Sequence, residues 1–171
     1  MHSEKNHKLG RGKYIGDLVY GANDGIITTF AVVSGAMGGS LPGAVIIILG
    51  LANLIGDGIS MGLSNFLSLR SENDFQKKQR AIEERETVEF PKKEKDEVEV
   101  VLKNWGISGE TLEKATEAII SDKKRWVDFM MKEELGIMED GVEFPWKNGA
   151  ITTLAFMAAG ALPLITYVFN V

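Results

Sequence analysis

Cysteine is absent from all 171 residues. The chain therefore has no disulfide framework, no thiolate metal site and no cysteine nucleophile. Histidine is nearly absent: His2 and His7 are the only two, both in the N-terminal tail. That excludes from the body a His-rich zinc site, a Ser-His catalytic pair and the Glu-x-x-His motif of di-iron bundles. Net positive charge is lacking as well. A formal charge of -5 and a pI near 5.2 argue against nucleic acid as a partner. There is no strand-like alternation of useful length and no internal repeat. Pairs such as Gly35-x-x-Gly38 have helix-packing spacing and do not continue into a phosphate loop. With no nucleophile–base pair and no cofactor loop, the sequence does not read as an enzyme.

Charge itself is missing from two long stretches. Residues 25 to 69 hold only Asp57, and residues 148 to 171 hold no charge at all. The stretch 70 to 147 between them carries 15 Lys/Arg and 20 Asp/Glu. A soluble domain would intersperse these classes around one core. Crossing the hydrocarbon layer takes about 20 mostly apolar residues, and three segments qualify: about 18 to 37, 44 to 67 and 150 to 169. The first two are separated by Gly38-Gly39-Ser40-Leu41-Pro42-Gly43, which suits a tight turn. The alternative of three buried helices in a soluble bundle is poorer, because helices this long without a polar face rarely suit so small a chain.

The expected fold is all-α. It has a tail over 1–17, two membrane helices over 18–69, a helical domain over 70–147 inserted between spans two and three, and a third membrane helix over 148–171. Lys5, Lys8, Arg11 and Lys13 precede span one, and Arg70, Lys77, Lys78 and Arg80 follow span two. By the positive-inside rule the N-terminus and residues 70–147 are cytosolic. Span two lacks a breaker and is expected to run on to Val88. Pro91 opens the next helix, which stops at Gly106. Ser108 and Asp122 are expected to cap the two that follow, the second ending at Gly136.

Two acidic residues fall inside the apolar segments. An ionisable side chain in a span costs at least a few kcal/mol and usually faces a partner, a cavity or a permeating ion. Asp24 sits in Gly21-Ala22-Asn23-Asp24-Gly25, and Asp57 in Asn53-Leu54-Ile55-Gly56-Asp57-Gly58. Met61 lies four residues after Asp57, on the same helical face. An interfacial Asp near a helix end, with Met61 as ordinary packing, remains open on these residues alone. In the charged stretch, Glu83 and Glu86 are i, i+3 on the helix extending from span two. Glu94 and Glu97 repeat that spacing after Pro91. Folded back antiparallel, the two helices would bring four carboxylates together. Met130 and Glu134 are i, i+4 on a third helix, with Met131 beside them. Oxygen ligands suit hard divalent cations, and a thioether biases a site toward softer transition metals. A solvated face laced with Glu–Lys pairs stays open on spacing alone.

The run Gly21-Ala22-Asn23-Asp24-Gly25-Ile26-Ile27-Thr28-Thr29-Phe30 resembles the first-span signature of the vacuolar iron transporter family. So do Asp57-Gly58-Ile59-Ser60-Met61-Gly62 and Trp126-Val127-Asp128-Phe129-Met130-Met131-Lys132-Glu133-Glu134-Leu135-Gly136, and Ala161-Leu162-Pro163-Leu164 resembles its third span. The resemblance covers about residues 14 to 171. It implies a homodimeric transporter that moves Fe2+, and Mn2+ or other divalent transition metals, out of the cytosol in exchange for protons, serving metal homeostasis. No prosthetic group is implied. It also implies Asp24 and Met61 in the pathway, and Glu83, Glu86, Glu94, Glu97, Met130, Met131 and Glu134 as cytosolic metal ligands. Asp57 joins the pathway candidates from its position in the span. The family's members have five spans, of which this sequence accounts for three. A membrane-anchored buffer or sensor that binds metal without transporting it is the alternative, and a structural membrane protein without specific metal a third.

Overall fold

The computed structural model describes residues 14–138 and 141–168, and among them every regular element is an α-helix. The basic tail residues Lys5, Lys8, Arg11 and Lys13, with His2 and His7, lie outside the described residues, as does the end of the expected third span at Phe169. The helices are α1 (Ile15–Gly38), α2 (Gly43–Glu89), α3 (Pro91–Asn104), α4 (Gly109–Ile120), α5 (Lys123–Glu133), α6 (Pro145–Gly160) and α7 (Leu162–Val168). They divide into two compact units, one of residues 1–69 with 144–171, the other of residues 70–143. Helix α2 contributes to both.

In the first unit, small residues recurring every fourth position make the packing faces. On α1 the buried positions are Gly21, Gly25, Thr29, Val33 and Ala36. On α6 they are Asn148, Gly149, Thr152, Phe156 and Gly160. A Cβ at Gly21 would strike the carbonyl oxygen of Thr152, and one at Gly25 the carbonyl oxygen of Phe156. These glycines therefore let the two backbones touch. Gly62 of α2 meets Thr153 and the Gly149 carbonyl in the same way. Val33, Ala36, Ile46, Leu54, Phe156 and Leu164 complete an apolar cluster. Most of the remaining apolar surface faces outward: Ile48, Ile55, Ile59 and Leu63 of α2 are each more than half exposed.

Among the described residues, two helices are long and apolar enough to cross a membrane, α2 and the stretch Pro145–Ile165. The latter spans a break at Ala161, where Pro163 removes one donor from the helical ladder and α7 begins. Helix α1 has the length, 24 residues, but not the apolarity, because Asp17, Asn23, Asp24 and its glycines dilute it.

In the second unit, α2 runs unbroken to Glu89 and Pro91 opens α3 at its first position. Gly106 and Gly136 terminate α3 and the α5 segment with positive φ, +83° and +67°. That is the left-handed conformation at which a glycine avoids the Cβ penalty. Asp122 caps α5 through its carboxylate, accepting from the Arg125 N–H at 2.8 Å. Ser108 occupies the N-cap position of α4 without a side-chain cap bond. Val98, Leu102, Leu112, Trp126 and Met130 form the core, with Phe129 meeting Trp105 edge-on at 5.9 Å between ring centres.

Candidate metal centre

Glu83 and Glu86 are a turn apart on α2, and Glu94 lies in the first turn of α3. The Phe90-Pro91 junction reverses the chain between them: Phe90 leaves helical geometry and Pro91 restarts it. One oxygen from each of Glu83, Glu86 and Glu94 comes within 4.8 Å of the other two. Glu83 is 5% exposed and Glu94 1%. Glu83 Oε2 and both oxygens of Glu94 are buried without a hydrogen-bond donor.

That arrangement is electrostatically unfavourable as an assembly of anions. Burying an ionised carboxylate without donors is costly, and a second one beside it raises the cost. Burial pushes the Glu83 carboxyl up to about 7, with Glu134, Glu94, Glu86 and Glu97 adding repulsion. Burial also raises Glu94, and Glu97 adds to it while Lys93 opposes. Glu134 is exposed as a residue, yet its carboxyl is raised too, by partial burial and then Glu97, with Lys93 opposing. A proton or a cation relieves such a cluster, and three convergent oxygens suit a divalent ion.

The remaining candidates are placed differently. Glu97 and Glu134 lie within electrostatic reach of Glu83, but Glu97 is paired with Lys93 at 2.9 Å. Met130 is fully buried and packs among Val98, Leu102, Leu112 and Trp126. Met131 lines a cavity of about 470 Å3 with Asn73, Gln76, Arg80 and Val142. In the first unit, Asp24 is half-buried and Asp57 exposed. Met61 packs against the apolar cluster. The Asp24 carbonyl accepts from Thr28 Oγ1 at 2.8 Å, and Asn53 of α2 reaches Thr28 and Thr29 at 3.5 Å.

Two groups were not singled out from the sequence. Asp17 reads there as the last residue of the tail. In the structure its two carboxylate oxygens accept from Asn65 at 2.8 Å and Asn148 at 2.6 Å, and Asn65 also donates to Thr152 at 2.7 Å. This polar knot ties α1, α2 and α6 together. An Asn at 65 and at 148 inside apolar segments was the available signal. The second group is the pair of Arg80 with Asp128 at 2.6 Å, which joins α2 to α5. Asp128 is held below its usual range: its partial burial acts upward but is outweighed by Arg80 and Lys124.

An all-helical chain with apolar helices of spanning length and an acidic cluster suited to a divalent cation defines a class, the helical membrane proteins that handle metal. Within that class the chain belongs to the VIT family, which it matches over residues 15–171. It is 35% identical over 167 residues to a vacuolar iron transporter of Toxoplasma gondii, covering 96% of this chain and 55% of that protein. It is 30% identical over 168 residues to vacuolar iron transporter 2 of Oryza sativa subsp. japonica, covering 98% of this chain and 68% of the relative. A vacuolar iron transporter of Plasmodium falciparum is 34% identical over 171 residues, covering 98% of this chain and 62% of that protein. These relatives are named as transporters, not enzymes, and the chain spans between about half and two thirds of their length.

Proposed function

We propose that the chain transports divalent iron, and manganese with it, out of the cytosol in exchange for protons, as a homodimer. In this reading α1, the first part of α2 and the stretch 145–165 are three membrane spans, the N-terminus and residues 70–147 are cytosolic, and Asp24, Met61 and Asp57 line the pathway. Glu83, Glu86 and Glu94 take the ion first, with Glu97, Glu134, Met130 and Met131 extending the ligand set. The observation that carries it is the Glu83–Glu86–Glu94 cluster, whose buried oxygens lack donors. A region built only to be solvated would not bury carboxylate oxygens without good hydrogen bonds. The names of the relatives support iron as the cargo.

A second reading, a membrane-anchored metal buffer, is favoured by the fact that these three ligands all belong to the second unit. Entry of Fe2+ or Mn2+ into sealed vesicles containing this chain separates the two. Transport predicts flux that falls when Glu83 and Glu94 are both changed to Gln. Metal bound by the protein with no flux above that of empty vesicles would leave the buffer.

A further inference from the structure

The acidic cluster has a basic side chain at its edge. Lys93 Nζ lies 2.9 Å from Glu97 Oε1 and 3.5 Å from Glu94 Oε1. The partners differ sharply in exposure: the Lys93 side chain is 63% exposed and that of Glu94 1%. An ammonium group thus reaches in from water to a buried carboxylate, at a distance too long for a strong hydrogen bond. The contact acts mainly through charge. Neighbouring lysines on α3 are engaged away from the cluster, Lys95 with Glu117 at 2.6 Å and Lys103 with Glu99 at 3.1 Å.

We propose that Lys93 is a tethered counter-ion at the mouth of the Glu83–Glu86–Glu94 cluster, displaced by an incoming divalent ion and so setting the cluster's affinity. The proposal rests on the reading of that cluster as a metal site. A lysine so exposed gains little from its ion pairs, so a divalent ion shared by three carboxylates displaces it readily. Its charge still opposes the metal while it remains nearby. One positive charge a few ångströms from a divalent ion in a water-like dielectric changes affinity by roughly tenfold. A site that must pass its ion onward gains from such a built-in competitor, because the ammonium returns to the carboxylates as the metal leaves.

The test is titration of the full chain in detergent with Mn2+ at pH 8 and low salt, following the paramagnetic resonance of free Mn2+. Lys93→Gln should bind about tenfold more tightly than the parent, with the difference shrinking as salt is raised. Lys93→Arg keeps the charge and should bind like the parent, which a purely steric role for the lysine would not require. Unchanged or weaker binding in Lys93→Gln overturns the proposal while leaving the metal site standing. Absence of Mn2+ binding in the parent, or binding indifferent to Glu83→Gln with Glu94→Gln, overturns the metal site and the lysine's role together.

Discussion

Glu83 and Glu94 are unusual because they bury carboxylate oxygens with too few donors to match, and the consequence is a pH dependence with a definite sign. In the unfolded chain a glutamate titrates near 4.3. In the folded protein Glu83 is raised to about 7. Between those values the folded state binds more protons than the unfolded one, so stability falls as pH rises. The favourable contribution is complete below about pH 4 and lost as pH climbs through 7, an effect of roughly 3–4 kcal/mol. Divalent metal bound at the proposed site would reverse it, since the ion needs the ionised form and releases the proton. We expect the metal-free chain, unfolded by urea and followed through the buried Trp126, to lose stability from pH 5 to pH 8. Added Mn2+ should restore it at pH 8, and Glu83→Gln should flatten the profile. A metal-free chain whose stability rises over that range would refute the assignment. The pairing of Glu83-x-x-Glu86 with Glu94 is legible from spacing and the Pro91 reversal. The degree of burial is not, because nothing local distinguishes Glu94 from Glu97, three residues on, which is paired with Lys93.

At the scale of helices, breakers and caps were readable because each acts through its own backbone. The run of α2 past the apolar stretch, the restart at Pro91 and the glycine stops at 106 and 136 all follow from the presence or absence of such residues. The break at Ala161 was harder, since Ala161-Leu162-Pro163 sits inside a continuous apolar run. Partner choice was not readable at all. A small residue every fourth position announces close approach but not which helix approaches. Gly21, Gly25, Gly35, Gly56, Gly58 and Gly62 suit contact between two copies equally well by spacing. In the structure Gly21, Gly25, Gly58 and Gly62 meet residues of the 145–160 helix of the same chain, whereas Gly35 and Gly56 face open space. The assignment can be tested by adding one methyl group. At Gly25 it would meet the Phe156 carbonyl oxygen, with the Phe156 carbonyl carbon and Cα at 3.0 Å. Gly25→Ala should therefore cost about 1–3 kcal/mol of unfolding free energy. Gly35→Ala, in open helix, should be neutral or stabilising by about 0.5–1 kcal/mol. Unfolding in detergent at several protein concentrations checks this, and a Gly25→Ala loss confined to concentrations where copies associate would move that glycine to an interface between chains.

For the whole molecule, the proposed transport requires more than the glutamate cluster of the second unit, because that cluster alone would only bind an ion. The apolar surface that α2 leaves uncovered at Ile48, Ile55, Ile59 and Leu63 needs lipid or a second copy to cover it. One Asp24 and one Met61 would supply too few ligands to replace a metal's water shell, whereas two copies about a two-fold axis double them. Asp24 is the residue on which transport, as distinct from binding, would depend. It is half-buried in α1, and a carboxylate in a span costs several kcal/mol unless something passing or facing it repays that. Replacing it with Asn keeps the shape and removes the charge. Asp24→Asn should abolish Mn2+ entry into vesicles with a pH gradient, while Mn2+ binding by the Glu83–Glu86–Glu94 cluster and the unfolding midpoint stay at parent values. Asp57→Asn, at an exposed position, should reduce entry less. Parent-level flux in Asp24→Asn would remove that carboxylate from the pathway. Lost flux accompanied by lost Mn2+ binding would show that the substitution disturbs the fold, and that the charge at 24 is structural.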